Sequence, residues 1–230
     1  MTPVRVLVVS DEIDPSLGPE TLRELRPDLL VSCGDLPFDH LEYLLTLAAV
    51  PLLYVPGNHD PEVAARPGGP AFTGSVPLRF ADANADPPGV AGGVNVDGRV
   101  VEAAGLRVAG LGGSVRYREG PNQYTQAQMR RRALRLELRC RLRRPVGRGP
   151  RRRVDLLVTH APPLGVGDIA DDPAHAGFAA FHRLVRTLAP RVLVHGHIHP
   201  YGRVVPEMAI GDTVVRNAVG AHLIEVEAGP

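Results

Sequence analysis

The sequence lacks the residues that mark several classes of protein. It has only two cysteines, Cys33 and Cys140, and lysine is absent, so all 26 basic residues are arginine. Two cysteines this far apart supply neither a disulfide framework nor a Cys-x-x-Cys metal pair. A disulfide-stapled secreted protein and a zinc finger are therefore excluded.

Long apolar runs are also missing, since none approaches the roughly 18 residues that suggest a membrane span. Met1–Arg5 leads directly into an apolar run, without the charged head and cleavage site of a signal peptide. We therefore expect no membrane partner and a cytoplasmic protein. The hydrophobic content of 44% is sufficient for a sizeable core, and we expect residues 1–230 to form a single domain. The oligomeric state is left open.

The net charge of +1 conceals one strongly basic stretch. Arg130–Arg153 contains 12 of the 26 arginines and one acid, Glu137, whereas the rest of the chain is net acidic. Clustered arginines bind nucleic acid by releasing counterions. This stretch has no aromatic residue for base stacking, however. A nucleic-acid partner is left open, but a solvated helix and loop is favoured.

Six short apolar runs have the length and the Val, Leu and Ile content of buried strands. Two segments between the first three runs predict helices, namely Pro19–Leu25, with proline in its first turn, and Phe38–Ala49, with leucines at helical spacing. Strands that alternate with helices imply an α/β fold with parallel pairing. The runs are Val4–Val9, Leu29–Val31, Leu52–Val55, Val108–Leu111, Val154–Val158 and Val192–Val194.

The rest of the chain predicts one more helix and a group of strands. Gln123–Leu142 alternates leucine with charge as a strand would, but its helix formers and its lack of β-branched residues after Gln126 favour a helix. Three short β-type runs near the C-terminus predict a second, more antiparallel sheet. These runs are Arg203–Val205, Thr213–Arg216 and His222–Val226.

Polar groups follow five of the six apolar runs. In α/β sheets the carboxyl ends of the strands converge on one edge, where ligands bind. Each group alone is more typical of a turn or of a satisfied core histidine, but five coincidences at five strand ends favour a shared metal site. The groups are Ser10-Asp11, Gly34-Asp35, Gly57-Asn58-His59-Asp60, Thr159-His160 and Gly196-His197-Ile198-His199.

The chemistry of these donors indicates which ions they bind. Carboxylate, imidazole and carboxamide groups without a thiolate suit Mn, Fe, Zn or Mg. The donors outnumber what one catalytic ion needs, so we expect two divalent ions that share a bridging carboxylate. Two ions roughly 3.5–4 Å apart can hold a hydroxide and clamp the oxygens of a displacement at phosphorus. The set therefore predicts hydrolysis of a phosphate ester.

The ordered groups resemble the motifs of the calcineurin-like metallophosphoesterases, namely D-x-H, G-D, G-N-H-[E/D], a single H and G-H-x-H. The resemblance runs from Asp11 to His199. It implies two mixed β-sheets packed as a sandwich and flanked by helices. It also implies a phosphatase or phosphodiesterase that acts on a small phosphomonoester or phosphodiester. The alternatives are a nuclease and a catalytically weakened metal-binding interaction module.

The resemblance also implies a role for each matching residue. Asp35 would be the bridging carboxylate, and His59 would protonate the leaving oxygen or stabilise phosphoryl charge as a metal-bound hydroxide attacks. Asp60, with Asp39 as the lesser alternative, would orient the ring of His59. One ion would be completed by Asn58, His160 and His197, and the other would be held by Asp11 and His199.

One position departs from the family pattern, because Ile13 stands where the motif D-x-H has its histidine. Isoleucine cannot coordinate a cation, so we expect the Asp11/His199 site to bind its ion more weakly. In an extended strand, Glu12 and Asp14 both point away from Asp11. A turn at Asp14 would re-aim its carboxylate, and otherwise water fills the place.

The connections after the strands are expected to wall the site. Arg116 and Arg118, which follow Val108–Leu111, are candidates for substrate phosphate contacts, with a solvated loop as the alternative. The connection Gly165–Gly177 after His160 is interpreted as either a lid or a polar link.

Overall fold

The computed structural model describes residues 3–61, 89–142, 154–169, 171–203 and 205–229. Within these ranges the helices are α1 (Pro19–Leu25), α2 (Phe38–Ala48), α3 (Gln126–Leu142) and α4 (Ala180–Leu188). The strands are β1 (Val4–Ser10), β2 (Leu29–Ser32), β3 (Leu52–Tyr54), β4 (Val94–Asn95), β5 (Val100–Ala103), β6 (Leu106–Leu111), β7 (Ser114–Val115), β8 (Gln123–Tyr124), β9 (Leu156–Thr159), β10 (Val192–His195), β11 (Met208–Ile210), β12 (Thr213–Asn217) and β13 (Gly220–Val226). None of the helices in these ranges has the length and apolar character needed to cross a bilayer.

The first sheet has five strands in the order β13-β1-β2-β3-β4. Strands β1, β2 and β3 are parallel, which confirms the prediction from their alternation with helices. Ser32 at the end of β2 pairs with Val9 on one side and with Tyr54 on the other. The carboxyl ends of these three strands therefore lie side by side, and the segments that carry Asp11, Asp35 and Asn58 leave the sheet together.

The second sheet has six strands in the order β11-β12-β10-β9-β6-β5. It contains the other three predicted runs as parallel strands, with Val158 of β9 between Gly110 of β6 and Val194 of β10. The ends of β9 and β10 are therefore neighbours. This register brings the segments that carry His160 and His197 to one edge of the second sheet.

A second sheet is present as predicted, but the three C-terminal runs do not together form it. Strand β13 joins the first sheet antiparallel to β1, and β12 joins the second sheet parallel to β10. Of the predicted run at 203–205, Arg203 and Val205 lie outside any strand, and residue 204 is outside the described residues. An apolar run indicates that a segment is a strand, whereas its pairing partner depends on packing between distant parts of the chain.

The two sheets pack face to face, and a pair of helices covers each outer face. Val6 and Val8 lie in the core between the sheets, together with Val108 of the second sheet. Leu7 faces the opposite way and packs against α1 and α2. Helices α3 and α4 cover the outer face of the second sheet. The predicted two-sheet sandwich is therefore confirmed, and burial of both sheet faces explains why the central strands are mainly apolar.

The predicted third helix is confirmed, but it begins three residues later than expected. Gln123 and Tyr124 form β8, which pairs in parallel with β7. Thr125 then caps the helix, because its Oγ1 accepts from the amide of Gln128 at 3.2 Å and Gln128 Oε1 accepts from the amide of Thr125 at 2.8 Å. This reciprocal pair is a capping box, and its Thr-x-x-Gln pattern marks the helix start. The basic stretch continues into residues 143–153, which lie outside the described ranges.

Candidate metal centre

Tight turns follow the strands that lead to the site. Asp11, Asp35 and His197 have φ values of 60°, 57° and 69°, in the left-handed region that residues with side chains rarely adopt. At Asp11, the amide of residue 12 donates to the carbonyl of residue 10 at 2.6 Å, and His197 is at the centre of an equivalent turn closed at 2.8 Å. Strain of this kind concentrates at functional sites. The turns, and not strand alternation, therefore aim these side chains.

Two glycines let the backbone pass very close to the donor groups. A Cβ on Gly57 would lie 2.1 Å from Asp35 Oδ1 and 2.7 Å from His160 Cε1. A Cβ on Gly196 would lie 2.2 Å from Asp11 Oδ2. These distances leave no room for a side chain, so glycine is required at both positions.

Four of the predicted donors come together from both sheets. Asp35, His160 and His197 each place one ligand atom within 4.8 Å of the others. His160 Nε2 is 3.3 Å from Asp35 Oδ2 and 2.9 Å from Asn58 Oδ1. The ring centroids of His160 and His197 are 4.8 Å apart. The segments after β2, β3, β9 and β10 therefore meet at one point between the two sheet edges.

Backbone groups hold these donors in orientations that suit metal binding. His160 Nδ1 is 2.8 Å from the carbonyl of Cys33, and His197 Nε2 is 2.8 Å from the carbonyl of Ala174. Each nitrogen donates to its carbonyl, so the lone pair of the neutral ring is on the other nitrogen, where a metal ion could bind it. Asp35 Oδ1 accepts from the amide of His59 at 2.8 Å, and Oδ2 faces His160. The two carbonyl groups could not be predicted from the sequence, since every residue carries one.

The negative charge of the carboxylates favours a cation among the donors around Asp35. Burial opposes protonation of His160, but the charge and hydrogen bond of Asp35, together with Asp11, raise its pKa to about 9. Burial, followed by the charge of His160, lowers the pKa of His197 to about 3. Burial alone would raise the pKa of Asp35, yet His160 lowers it below its usual value. A proton on His160 meets this demand without metal, and the nitrogen and oxygen donors fit a divalent ion in its place.

Asp11 and His199 form the second predicted pair. Asp11 Oδ2 accepts from Ser10 Oγ at 2.5 Å and from the amide of His197 at 3.0 Å. Its other oxygen, Oδ1, lies 3.9 Å from His199 Nε2. Ile13 is 51% exposed and offers no donor. The pair therefore borders the first group through the turn at His197, with one donor fewer than the family pattern.

The expectation that Glu12 points away from this pair is wrong. The left-handed turn at Asp11 breaks the strand alternation, and Glu12 Oε1 reaches His199 Nδ1 at 2.7 Å. Asp14 does begin a turn, in which its Oδ1 accepts from the amide of Ser16 at 2.8 Å. That contact engages Asp14 in the turn itself, so Glu12 is the acidic residue beside the pair.

His59 is exposed at the edge of the donor group. The contacts of Asp60 differ from the predicted role, in which this carboxylate orients the ring of His59. Asp60 Oδ2 accepts from the amides of Asp35 at 3.0 Å and Gly57 at 2.8 Å, and burial raises its pKa. Among the described residues no hydrogen bond joins Asp60 to the ring of His59. The buried carboxylate therefore braces the two turns that carry donors. The lesser alternative, Asp39, accepts from the amide of His40 at the start of α2.

Of the two candidate substrate arginines, the structure brings Arg118 to the site. Arg118 Nη2 is 3.5 Å from His59 Nδ1, whereas Arg116 bonds to the carbonyl of Gln123 at 3.3 Å within its own connection. Buried Gln123 accepts from the amide of Arg118 at 3.3 Å and so helps to position it. Tyr117, which the sequence reasoning missed, accepts from Asn58 Nδ2 at 3.4 Å. The position of Tyr117 between the two candidate arginines is the feature of the sequence that could have indicated a place in the site.

Comparisons with known proteins show a family and similar folds. The profile of the calcineurin-like phosphoesterase family matches residues 6–201. One crystal structure is similar with a TM-score of 0.63 and 16% identity over 99% of this chain and 100% of that chain. The crystal structure of TT1561 of Thermus thermophilus is similar with a TM-score of 0.53 and 16% identity over 93% and 88% of the two chains. These two likenesses concern the fold alone. No curated protein matches the sequence.

Proposed function

Because the chain belongs to the calcineurin-like phosphoesterase family, we propose that it hydrolyses a small phosphomonoester or phosphodiester at the donor group around Asp35. The observation that carries the proposal is the convergence of Asp35, His160 and His197 within 4.8 Å. Burial of so many polar groups costs free energy unless they are paired, and donors oriented by backbone carbonyls are suited to bind a divalent cation.

We propose two metal ions at this centre. Asp35, Asn58, His160 and His197 would hold the first, and Asp11 and His199, with Asp35 shared, would hold a second and weaker one. Mn, Fe, Zn and Mg are the candidates that fit the donors. When bound, such ions lower the pKa of a coordinated water and polarise phosphoryl oxygens.

The chain's own residues would supply a hydrogen-bond donor and further positive charge. His59 is exposed, and its Nδ1 faces the guanidinium of Arg118 at 3.5 Å. When Arg118 donates to Nδ1, the neutral ring carries its hydrogen on Nε2, and this N–H would donate a hydrogen bond that stabilises negative charge on the leaving oxygen. The guanidinium would attract the phosphate oxygens of the substrate to the same place. Tyr117 would limit the space beside Asn58.

The basic helix gives less support to a nuclease. Arg132 pairs with Asp97 at 2.5 Å, Arg139 bonds to the carbonyl of Gly98, and Arg141 pairs with Glu137. These three guanidinium groups of α3 thus bond within the protein, which reduces the charge available to a nucleic-acid backbone. A small phosphate ester therefore remains the preferred substrate class.

A substrate panel with matched variants tests the proposal. Wild-type protein with Mn²⁺, Zn²⁺ or Mg²⁺ is assayed on p-nitrophenyl phosphate, its bis ester, cyclic nucleotides and a single-stranded oligonucleotide. We expect turnover of a small ester that falls by about 10²–10⁴-fold in His59→Ala and at least as far in Asp35→Asn. The controls His40→Ala, at the start of α2, and Asp212→Asn, in the exposed turn before β12, should retain wild-type turnover.

The panel also separates the alternatives. Turnover of the oligonucleotide alone would favour the nuclease. Metal binding without turnover across the panel would favour the interaction module. Near wild-type activity in Asp35→Asn would show that the assigned roles are wrong.

A further inference from the structure

Beside the position where Ile13 replaces the family's histidine, the structure holds a carboxylate that the motif does not specify. We propose that Glu12 is a positioning residue that orients His199 as a metal ligand and so offsets the donor lost at Ile13. The proposal rests on the metal centre of the proposed function. It assigns Glu12 no direct contact with the ion.

The backbone explains how Glu12 reaches His199. Strand β1 ends at Ser10, and a turn centred on Asp11 follows it. In an extended strand the side chains of Asp11 and Glu12 would point to opposite faces, and the turn breaks this alternation. The side chain of Asp11 is almost fully buried, with 3% exposure, whereas that of Glu12 is 56% exposed. Asp11 thus turns into the site, and Glu12 reaches the outer edge of the His199 ring.

The two nitrogens of His199 face different carboxylates. Nδ1 is 2.7 Å from Glu12 Oε1, which is a hydrogen bond that requires the proton on Nδ1. The lone pair of the neutral ring is then on Nε2, which lies 3.9 Å from Asp11 Oδ1. That distance is too long for a hydrogen bond. Two atoms that each lie about 2.1 Å from one ion can be at most roughly 4.2 Å apart, so the pair can share an ion.

The chemistry of the contact favours a role in metal affinity. A carboxylate that accepts from the non-ligating nitrogen fixes the tautomer, limits ring rotation and raises the basicity of the ligating nitrogen. These effects matter most at a site with few protein donors. Asp11 and His199 are the two side chains assigned to this ion besides the shared Asp35, so the orientation of His199 is important there.

The experiment measures Mn²⁺ binding to the metal-stripped protein of residues 1–230 by calorimetry. For wild type we expect a tighter and a weaker ion. Glu12→Ala should weaken the second ion by about 10–100-fold and leave the first within about twofold. Glu12→Gln should lie between, because its amide oxygen accepts the same hydrogen bond without the charge. Glu20→Ala, on the exposed side of α1, is the matched control and should bind both ions as wild type does.

Two further readouts separate positioning from a general structural role. In metal-free protein, ¹⁵N NMR of His199 should show the Nδ1-H tautomer, and Glu12→Ala should shift it towards a mixture. In the Ile13→His background, which restores a donor, loss of Glu12 should cost the second ion less affinity than in wild type.

The outcomes distinguish this proposal from the proposed function. If the first ion binds but the second is absent, or is unaffected by Glu12→Ala, the role of Glu12 is overturned while the main centre stands. If wild type binds no ion, the proposed function fails. Separately, an unchanged His199 tautomer in Glu12→Ala would overturn the proposed hydrogen bond between Glu12 and His199.

Discussion

Replacing Gly57 with alanine should disrupt the metal centre more than the fold. The new Cβ would lie 2.1 Å from Asp35 Oδ1 and 2.7 Å from His160 Cε1, below the 3.0 Å that real Cβ contacts keep. Both donors must therefore move, Asp35 by about 1 Å, whereas metal ligands tolerate deviations of only about 0.2 Å. We expect the affinity for the tighter Mn²⁺ ion to fall about 100-fold or more. Overpacking should also lower the free energy of unfolding by about 1–3 kcal/mol.

Calorimetry with Mn²⁺ and urea unfolding of the metal-free protein measure these two effects separately. Gly18→Ala is the matched control, because nothing lies within 4 Å of a Cβ at Gly18. It should bind Mn²⁺ as wild type does and lose at most about 1 kcal/mol of stability. Wild-type metal affinity in Gly57→Ala would refute the close approach of this glycine to the donors.

Four further predictions concern proton release, the pH dependence of stability, substrate contact and an ion pair. The pKa of His160 is raised to about 9, so the first ion should displace nearly one proton from this ring at pH 7. Calorimetry in buffers of different ionisation enthalpy measures this proton release, and the absence of release would contradict the assignment of His160 as a ligand. In metal-free protein this protonation stabilises the fold fully below the ring's ordinary value of 6.5, and the stabilisation is lost as the pH rises through about 9. Arg118→Ala should lower turnover by about 10–100-fold and Arg116→Ala by far less, in steady-state assays, and equal losses would count against the assigned contact with His59. Asp97→Ala removes the carboxylate that pairs with Arg132 Nη2 and accepts from the amide of Gly112, so urea unfolding should show a loss of about 2 kcal/mol, unlike exposed Glu102→Ala.

The strands and first helices were predictable because local patterns determine them. Val6–Val9 is buried on both faces of the sheet, so its apolar run is continuous, and α1 begins with Pro19 in a position that favours a helix start. The convergence of polar groups at strand ends was likewise predictable, because the pairing of parallel strands brings their ends together. In this chain the convergence is shared between two sheets, with Asp35 from one and His160 from the other.

The remaining features depend on contacts between distant segments. The partners of β12 and β13 were not predictable, because both strands carry similar apolar patterns. The position of Glu12 depends on a left-handed turn at Asp11 that a non-glycine residue rarely adopts. Asp60 follows the His59 motif directly, yet its carboxylate braces backbone amides, and only the folded chain shows which of its neighbours it bonds to.

Anomalous diffraction at the manganese edge, from a crystal of the protein loaded with Mn²⁺, tests the metal centre most directly. We predict a peak about 2.0–2.3 Å from Asp35 Oδ2, His160 Nε2 and a ring nitrogen of His197, with a second and weaker peak near Asp11 and His199. Full loading in solution with no peak among Asp35, His160 and His197 would contradict the account.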